Sequence, residues 1–137
     1  MLKKIYHLGY AVEDLNAAAR FYRQYFGAVT SEPEEVEEQG VVATMFDVGE
    51  SKIELVQPTR SDSPVGKFLA KRGEGFHHVA FQVDDLEEAL RELRESGVEL
   101  IDEKPRVGAG GTRMAFLHPN GAHGVLTELV ELPENKG

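Results

Sequence analysis

Gly75-Phe76-His77-His78-Val79-Ala80-Phe81-Gln82-Val83-Asp84-Asp85-Leu86 repeats, in outline, a stretch near the start of the chain, His7-Leu8-Gly9-Tyr10-Ala11-Val12-Glu13-Asp14-Leu15. With His78 set over His7, 71 residues apart, Val83 falls on Val12, Asp85 on Asp14 and Leu86 on Leu15. Each copy is a histidine, an alternating strand, an acidic pair and a leucine that opens a helix. A repeat of this length is too long for a solenoid unit and points to two halves that fold on each other. In the first copy His7, Gly9 and Ala11 share one strand face and Leu8, Tyr10 and Val12 the other. In the second, His78, Ala80 and Gln82 oppose Val79, Phe81 and Val83. In the first copy the imidazole thus lies beside two very small residues, which leaves room around it.

The rest of each half follows one plan. Asp14 is placed to cap a helix with apolar positions Leu15, Ala18, Ala19, Tyr22, Tyr25 and Phe26, closed at Gly27. Ser31 to Glu38 reads as a solvated loop or edge. Strands over 40–48 and 52–56 flank a turn at Gly49-Glu50-Ser51. Ser63-Pro64 opens a linking helix that ends at Gly73. In the second half Asp85 caps a helix with Glu88 three residues on, striped by Leu86, Ala89, Leu90 and Leu93. Short strands are expected at 98–101, 113–117 and 125–130, and beyond Glu131 the tail is polar and expected to fray. Lys52-Ile53-Glu54-Leu55-Val56 reappears as Leu126-Thr127-Glu128-Leu129-Val130, now 74 residues on. The three extra residues fit a loop insertion. The fold class is therefore α+β: two βαβββ modules in tandem, about 5–57 and about 75–131, joined by a helical linker at about 58–74, in one domain.

The repeat pairs four donor side chains, His7 with His78 and Glu54 with Glu128. If the halves meet about a pseudo-twofold axis, the four enclose one cleft. Two imidazoles and two carboxylates suit a divalent first-row ion such as Co(II), Mn(II), Ni(II), Zn(II) or Fe(II). An octahedral ion held by four protein ligands keeps two positions open. His77 points to the opposite strand face. His118 and His123 lie near a turn without repeat partners, so a surface role is expected of them.

These features, with Gln39-Gly40-Val41, Ile53-Glu54-Leu55, Asp62-Ser63-Pro64-Val65, Arg72-Gly73-Glu74-Gly75, Phe116-Leu117-His118-Pro119 and Gly124-Val125-Leu126, resemble the vicinal oxygen chelate (glyoxalase-like) superfamily. Within it they are most similar to the methylmalonyl-CoA epimerase subgroup, from His7 to Glu131. The resemblance implies interconversion of (2R)- and (2S)-methylmalonyl-CoA by a metal-assisted isomerase. It implies one divalent metal, Co(II) first among the candidates, and a homodimer. Inversion at C2 needs a proton taken from one face and returned to the other, which Glu54 and Glu128 are paired to do. Glu128 is the first choice as base, because the matching glutamate acts so in related metal isomerases. One departure stands out: some family members carry glutamate at the place of Ala43 and glutamine at that of Glu54. A glyoxalase I-type lyase and a non-catalytic ligand-binding protein are the alternatives on the same scaffold. A dioxygenase site of two His and one Glu would leave Glu54 surplus. Lys67, Lys71, Arg72, Arg106 and Arg113 are candidate coenzyme A contacts, none of them assigned by the sequence.

Composition sets the bounds. The formal charge of −9 opposes a nucleic-acid surface. No run reaches the roughly 18 apolar residues of a membrane span. With no cysteine there is no disulfide framework, and any metal must bind His, Asp or Glu. A cytoplasmic location is expected.

Overall fold

The computed structural model describes residues 1–133 and divides into two compact units. His7–His77 form the N-terminal module; Met1–Tyr6 with the residues from His78 onward form the C-terminal module. Among the described residues the elements are β1 (Leu2–Ala11), α1 (Leu15–Phe26), β2 (Glu34–Val36), β3 (Val41–Val48), β4 (Ser51–Pro58), α2 (Pro64–Arg72), β5 (Gly75–Val83), α3 (Leu86–Glu95), β6 (Arg106–Val107), β7 (Arg113–Leu117) and β8 (Thr127–Glu131). The expected fraying of the tail falls, from residue 134 on, outside the described residues.

In the N-terminal module the strands run in the order β2-β3-β4-β1. β1 lies parallel to β4 with Gly9 opposite Glu54, and β4 lies antiparallel to β3 with Glu54 opposite Met45. Residues directly opposite share a sheet face, and the face alternates along each strand. One face therefore carries Leu8, Tyr10, Val42, Phe46, Ile53 and Leu55, and α1 covers it. Val12, Leu15, Ala19, Phe46 and Leu55 form its buried core. The other face carries His7, Gly9, Ala11, Ala43, Met45, Glu54 and Val56.

The C-terminal module repeats this with the order β5-β8-β7-β6. Ala80 lies opposite Glu128 and Phe116 opposite Glu128. The helix side holds Val83, Leu86, Ala89, Leu90, Ala115, Leu117 and Leu129. The other side holds His78, Ala80, Glu128 and Val130, where Ala80, Met114 and Val130 form a smaller cluster that takes Tyr6. Here the opening residues of β1 have their anchor, reinforced by Lys3 bonding Asp84 at 2.9 Å.

Both helices start by the same device. Asp14 accepts from the Ala17 amide at 3.0 Å and Asp85 from the Glu88 amide at 3.1 Å. Such caps answer amide donors that the first helical turn leaves open. The next orphan donor is answered across the module: Leu15 N–H reaches Gln57 Oε1 at 2.7 Å, and Leu86 N–H reaches Glu131 Oε1 at 2.9 Å. Gln57 and Glu131 are repeat equivalents, so the last strand of each module locks the start of its helix. Gly27 ends α1 at φ +67, a left-handed turn that a side chain would strain.

Three expectations need correction. The strand placed at 98–101 is only an isolated bridge from Leu100 to Leu117, and the true edge strand is β6 at Arg106–Val107. The run at 98–101 was too short to show that the Ile101 and Asp102 amides would both converge on the Phe116 carbonyl, at 2.9 and 3.2 Å, with the Asp102 carboxylate taking the Phe116 amide. The last strand begins at Thr127 rather than residue 125. Tyr25 and Phe26 leave the buried stripe of α1 and stand 67% and 69% exposed.

Candidate metal centre

Each module buries one imidazole–carboxylate pair on the sheet face away from its helix. In the N-terminal module His7 Nε2 lies 3.3 Å from Glu54 Oε1; in the C-terminal module His78 Nε2 lies 3.1 Å from Glu128 Oε1. His7 and His78 are each 3% exposed, Glu54 7% and Glu128 6%. Strand register accounts for the pairing. On a parallel pair such as β1–β4 or β5–β8, a histidine and a glutamate placed diagonally on one face converge across a strand spacing of about 4.8 Å.

These separations suit metal ligation. Two donors on one ion at about 2.1 Å and at right angles stand about 3.0 Å apart. Carboxylates buried this deeply are costly to desolvate unless a positive charge answers them. Gly9, Ala11, Ala43 and Ala80 keep bulky side chains off the same faces. The residues thus fit a divalent ion.

Phe116 is a member of this site that sequence reasoning missed. It lies opposite Glu128 on β7, and its ring meets the His78 imidazole edge to face at 5.5 Å. That contact limits the imidazole's rotation. Alternation along β7 was the available signal. Ala43, by contrast, is 3% exposed and sits two residues from Met45, the partner of Glu54, on the same face. A carboxylate at either place would reach the same region.

The other candidates separate cleanly. His77 packs edge to face against Phe68 at 4.9 Å, on the α2 side of β5. His118 accepts the Asn120 amide through Nδ1 at 3.1 Å, a turn-capping role. His123 is exposed, at φ +56. Arg72 covers the Phe68 ring at 5.9 Å. Arg113 points to the helix side, bonding Glu87 at 2.7 Å and Glu131 at 3.3 Å. The Glu87 hydrogen bond holds its guanidinium above the ordinary arginine pKa. Arg106 alone among the five named cations lies in register with the site face, opposite Met114.

Residues 6–116 match the glyoxalase/bleomycin resistance protein/dioxygenase superfamily, and the chain belongs to it. Within that superfamily the chain belongs to the methylmalonyl-CoA epimerase family. The mitochondrial methylmalonyl-CoA epimerase of Bos taurus is 39% identical over 129 residues, 93% of this chain and 74% of that one. A Streptomyces coelicolor methylmalonyl-CoA epimerase variant in complex with 2-nitronate-propionyl-CoA is 44% identical. It superposes at TM-score 0.94 over 98% of this chain and 100% of that one. A methylmalonyl-CoA epimerase in complex with methylmalonyl-CoA and NH4+ is likewise 44% identical, at TM-score 0.92 over 96% and 95%. Among the described residues no helix is long and apolar enough to cross a membrane.

Proposed function

We infer that this chain is a methylmalonyl-CoA epimerase, an isomerase that inverts C2 of the acyl group, and that its two modules act as one domain around one divalent ion. The observation that carries the reading is the buried His–Glu pair, built twice at repeat-equivalent positions in a family of epimerases. His7, Glu54, His78 and Glu128 would hold the ion, with Co(II) named first and Mn(II), Ni(II), Zn(II) or Fe(II) as alternatives. Bound there, it would supply Lewis acidity toward the substrate.

The chain's own residues supply the proton path. The C2 proton is acidified by the thioester carbonyl, and its loss leaves an enolate. Glu128 takes it from one face through a carboxylate oxygen, and Glu54, contributed by the other module, returns a proton to the opposite face. Inversion results, and the reverse sequence serves the other epimer. Burial at 7% and 6% exposure keeps bulk water from acting as a competing acid. His7 and His78, with Phe116 against the latter, orient the carboxylates. Glu54 takes the duty that a glutamate at position 43 would perform, since both positions share one face.

We further place the protein as a homodimer in the cytoplasm. Support for the dimer comes from α1, which exposes Phe21, Tyr25 and Phe26 at 48%, 67% and 69%; α3 has Glu92, Ser96 and Gly97 at the repeat-equivalent positions. The cysteine-free composition fits a reducing compartment. Sedimentation equilibrium tests the dimer.

The deciding experiment is deuterium incorporation at C2 of methylmalonyl-CoA in D2O, before and after chelator treatment. Incorporation that falls with chelator and returns with added Co(II) is expected. No incorporation with metal present refutes the reading. Elemental analysis tests the shared ion: His7→Ala and His78→Ala should each abolish the full metal content, whereas two separate half-sites would each lose half.

A further inference from the structure

Each module contains the same backbone clamp beside its glutamate. The strand next to the glutamate's own is paired along its outer edge only part of the way: β2 reaches Ala43 on β3, and β6 reaches Met114 on β7. Two residues further on stand Met45 and Phe116, directly opposite Glu54 and Glu128. A single residue there takes the place of the missing strand. Ser31 donates its N–H to the Met45 carbonyl at 2.8 Å and accepts the Met45 amide through Oγ at 3.0 Å. Asp102 donates its N–H to the Phe116 carbonyl at 3.2 Å, beside Ile101 at 2.9 Å, and accepts the Phe116 amide through Oδ2 at 3.0 Å. Positions 31 and 102 are 71 residues apart, as are 45 and 116 and the histidines 7 and 78. The clamp therefore belongs to the duplication. Edge N–H and C=O groups left without partners are costly away from water, which gives each clamp a backbone to hold.

What the clamp holds differs between the halves. Met45 carries an unbranched thioether with three rotatable bonds, so fixing its backbone fixes little beyond it. Phe116 carries a rigid ring that meets the His78 imidazole edge to face, 5.5 Å between centroids. Fixing its backbone therefore fixes one wall of the imidazole's space. The acceptor is also stronger on this side, a carboxylate where Ser31 offers a neutral hydroxyl. The Asp102 side chain is 11% exposed, and its Oδ1 lies 3.4 Å from Arg106 Nη1, so the carboxylate is held on both oxygens.

We propose that Asp102 is a positioning residue for the metal centre. It acts through Phe116 to hold the His78 imidazole, whereas the equivalent Ser31 clamp ends at a flexible thioether. This proposal rests on the reading of His78 as a metal ligand and adds to it a residue outside the site that keeps that ligand in place.

Metal-free wild type, D102A, D102N, F116L and S31A are compared by 13C relaxation of the His78 ring, and Co(II) affinity is then measured by titration. D102A and F116L should each lower the order of the ring and weaken Co(II) binding about tenfold or more, the scale of loss when a metal ligand loses its support. D102N keeps an oxygen acceptor and should recover most of that loss. S31A should leave the His78 ring as ordered as in wild type. The double variant D102A/F116L should be no looser at His78 than F116L alone, because both changes act through one ring. Wild-type ring order in D102A or in F116L overturns the proposal, and so does a double-variant loss equal to the sum of the two. Equal loosening of His78 by S31A marks a general loss of stability and likewise overturns it. If D102A does not fold, D102L, which fills the space without offering an acceptor, is read in its place. If wild type binds no Co(II), the metal reading fails separately, and ring order in the metal-free protein still decides the brace.

Discussion

Replacing Glu54 by glutamine should separate proton exchange from inversion. Glu54 is 7% exposed with Oε1 3.3 Å from His7 Nε2. Glutamine has nearly the same shape and keeps an oxygen donor, so the chief loss is the capacity to carry a proton. A positioned base contributes about 10²–10⁴ in rate, or about 2.7–5.4 kcal/mol of barrier. Bulk water cannot substitute at a site this buried, so epimerisation in E54Q should fall within that range. One exchange should survive. Glu128 still removes the proton on its own side and returns a deuteron to the same side, so one epimer exchanges C2 hydrogen in D2O without inverting. E128Q should show the same behaviour with the other epimer. Proton NMR follows exchange, chiral analysis follows inversion, and both are run at saturating metal with content checked by elemental analysis. If the two variants hold their metal yet lose exchange of both epimers alike, the carboxylates act as ligands only. Wild-type inversion by E54Q would remove Glu54 from the mechanism altogether.

A43E combined with E54Q should restore part of the inversion lost in E54Q alone, because positions 43 and 54 share one face; no recovery in a folded double variant counts against that equivalence. Leu86→Ala, at a fully buried position between α3 and the C-terminal sheet, should cost about 2–5 kcal/mol. In calorimetry that is a fall in Tm on the order of 10 °C, while Leu2→Ala, 55% exposed, should change little. Burial, and then the neighbouring Tyr10, raise the pKa of Tyr22 above 10.0. The folded state then holds the phenolic proton more tightly, so stability is full below pH 10 and falls as pH rises through the raised value. Tyr22→Phe should remove that component of alkaline destabilisation in urea melts.

Much of this was legible in the chain. The histidines and glutamates were found by register alone, since two copies of one strand–helix plan rarely align donor residues by accident. The helix caps were equally plain, because Asp14 and Asp85 act within three residues of sequence. Less local features were not. Val98-Glu99-Leu100 alternates like a strand, but the Asp102 carboxylate takes the Phe116 amide and Arg94 Nη1 meets the Glu103 carbonyl at 3.5 Å. Pairing with β7 then resumes only at Arg106. Helical spacing likewise put Tyr25 and Phe26 on the apolar side of α1, although the sheet beneath extends only far enough to cover Tyr22, which stacks on Phe46 at 5.0 Å.

The sequence by itself determined which side chains could hold an ion and that each half would supply one imidazole and one carboxylate. Periodicity fixes a residue's face, and duplication fixes its counterpart. Only the tertiary structure decided which arginine shares that face, that Phe116 braces His78, and that Ala43 lies on the face that bears Glu54. Those facts depend on strand partners far apart in the chain, and backbone pairing across a sheet leaves no signature in the local alternation of residues.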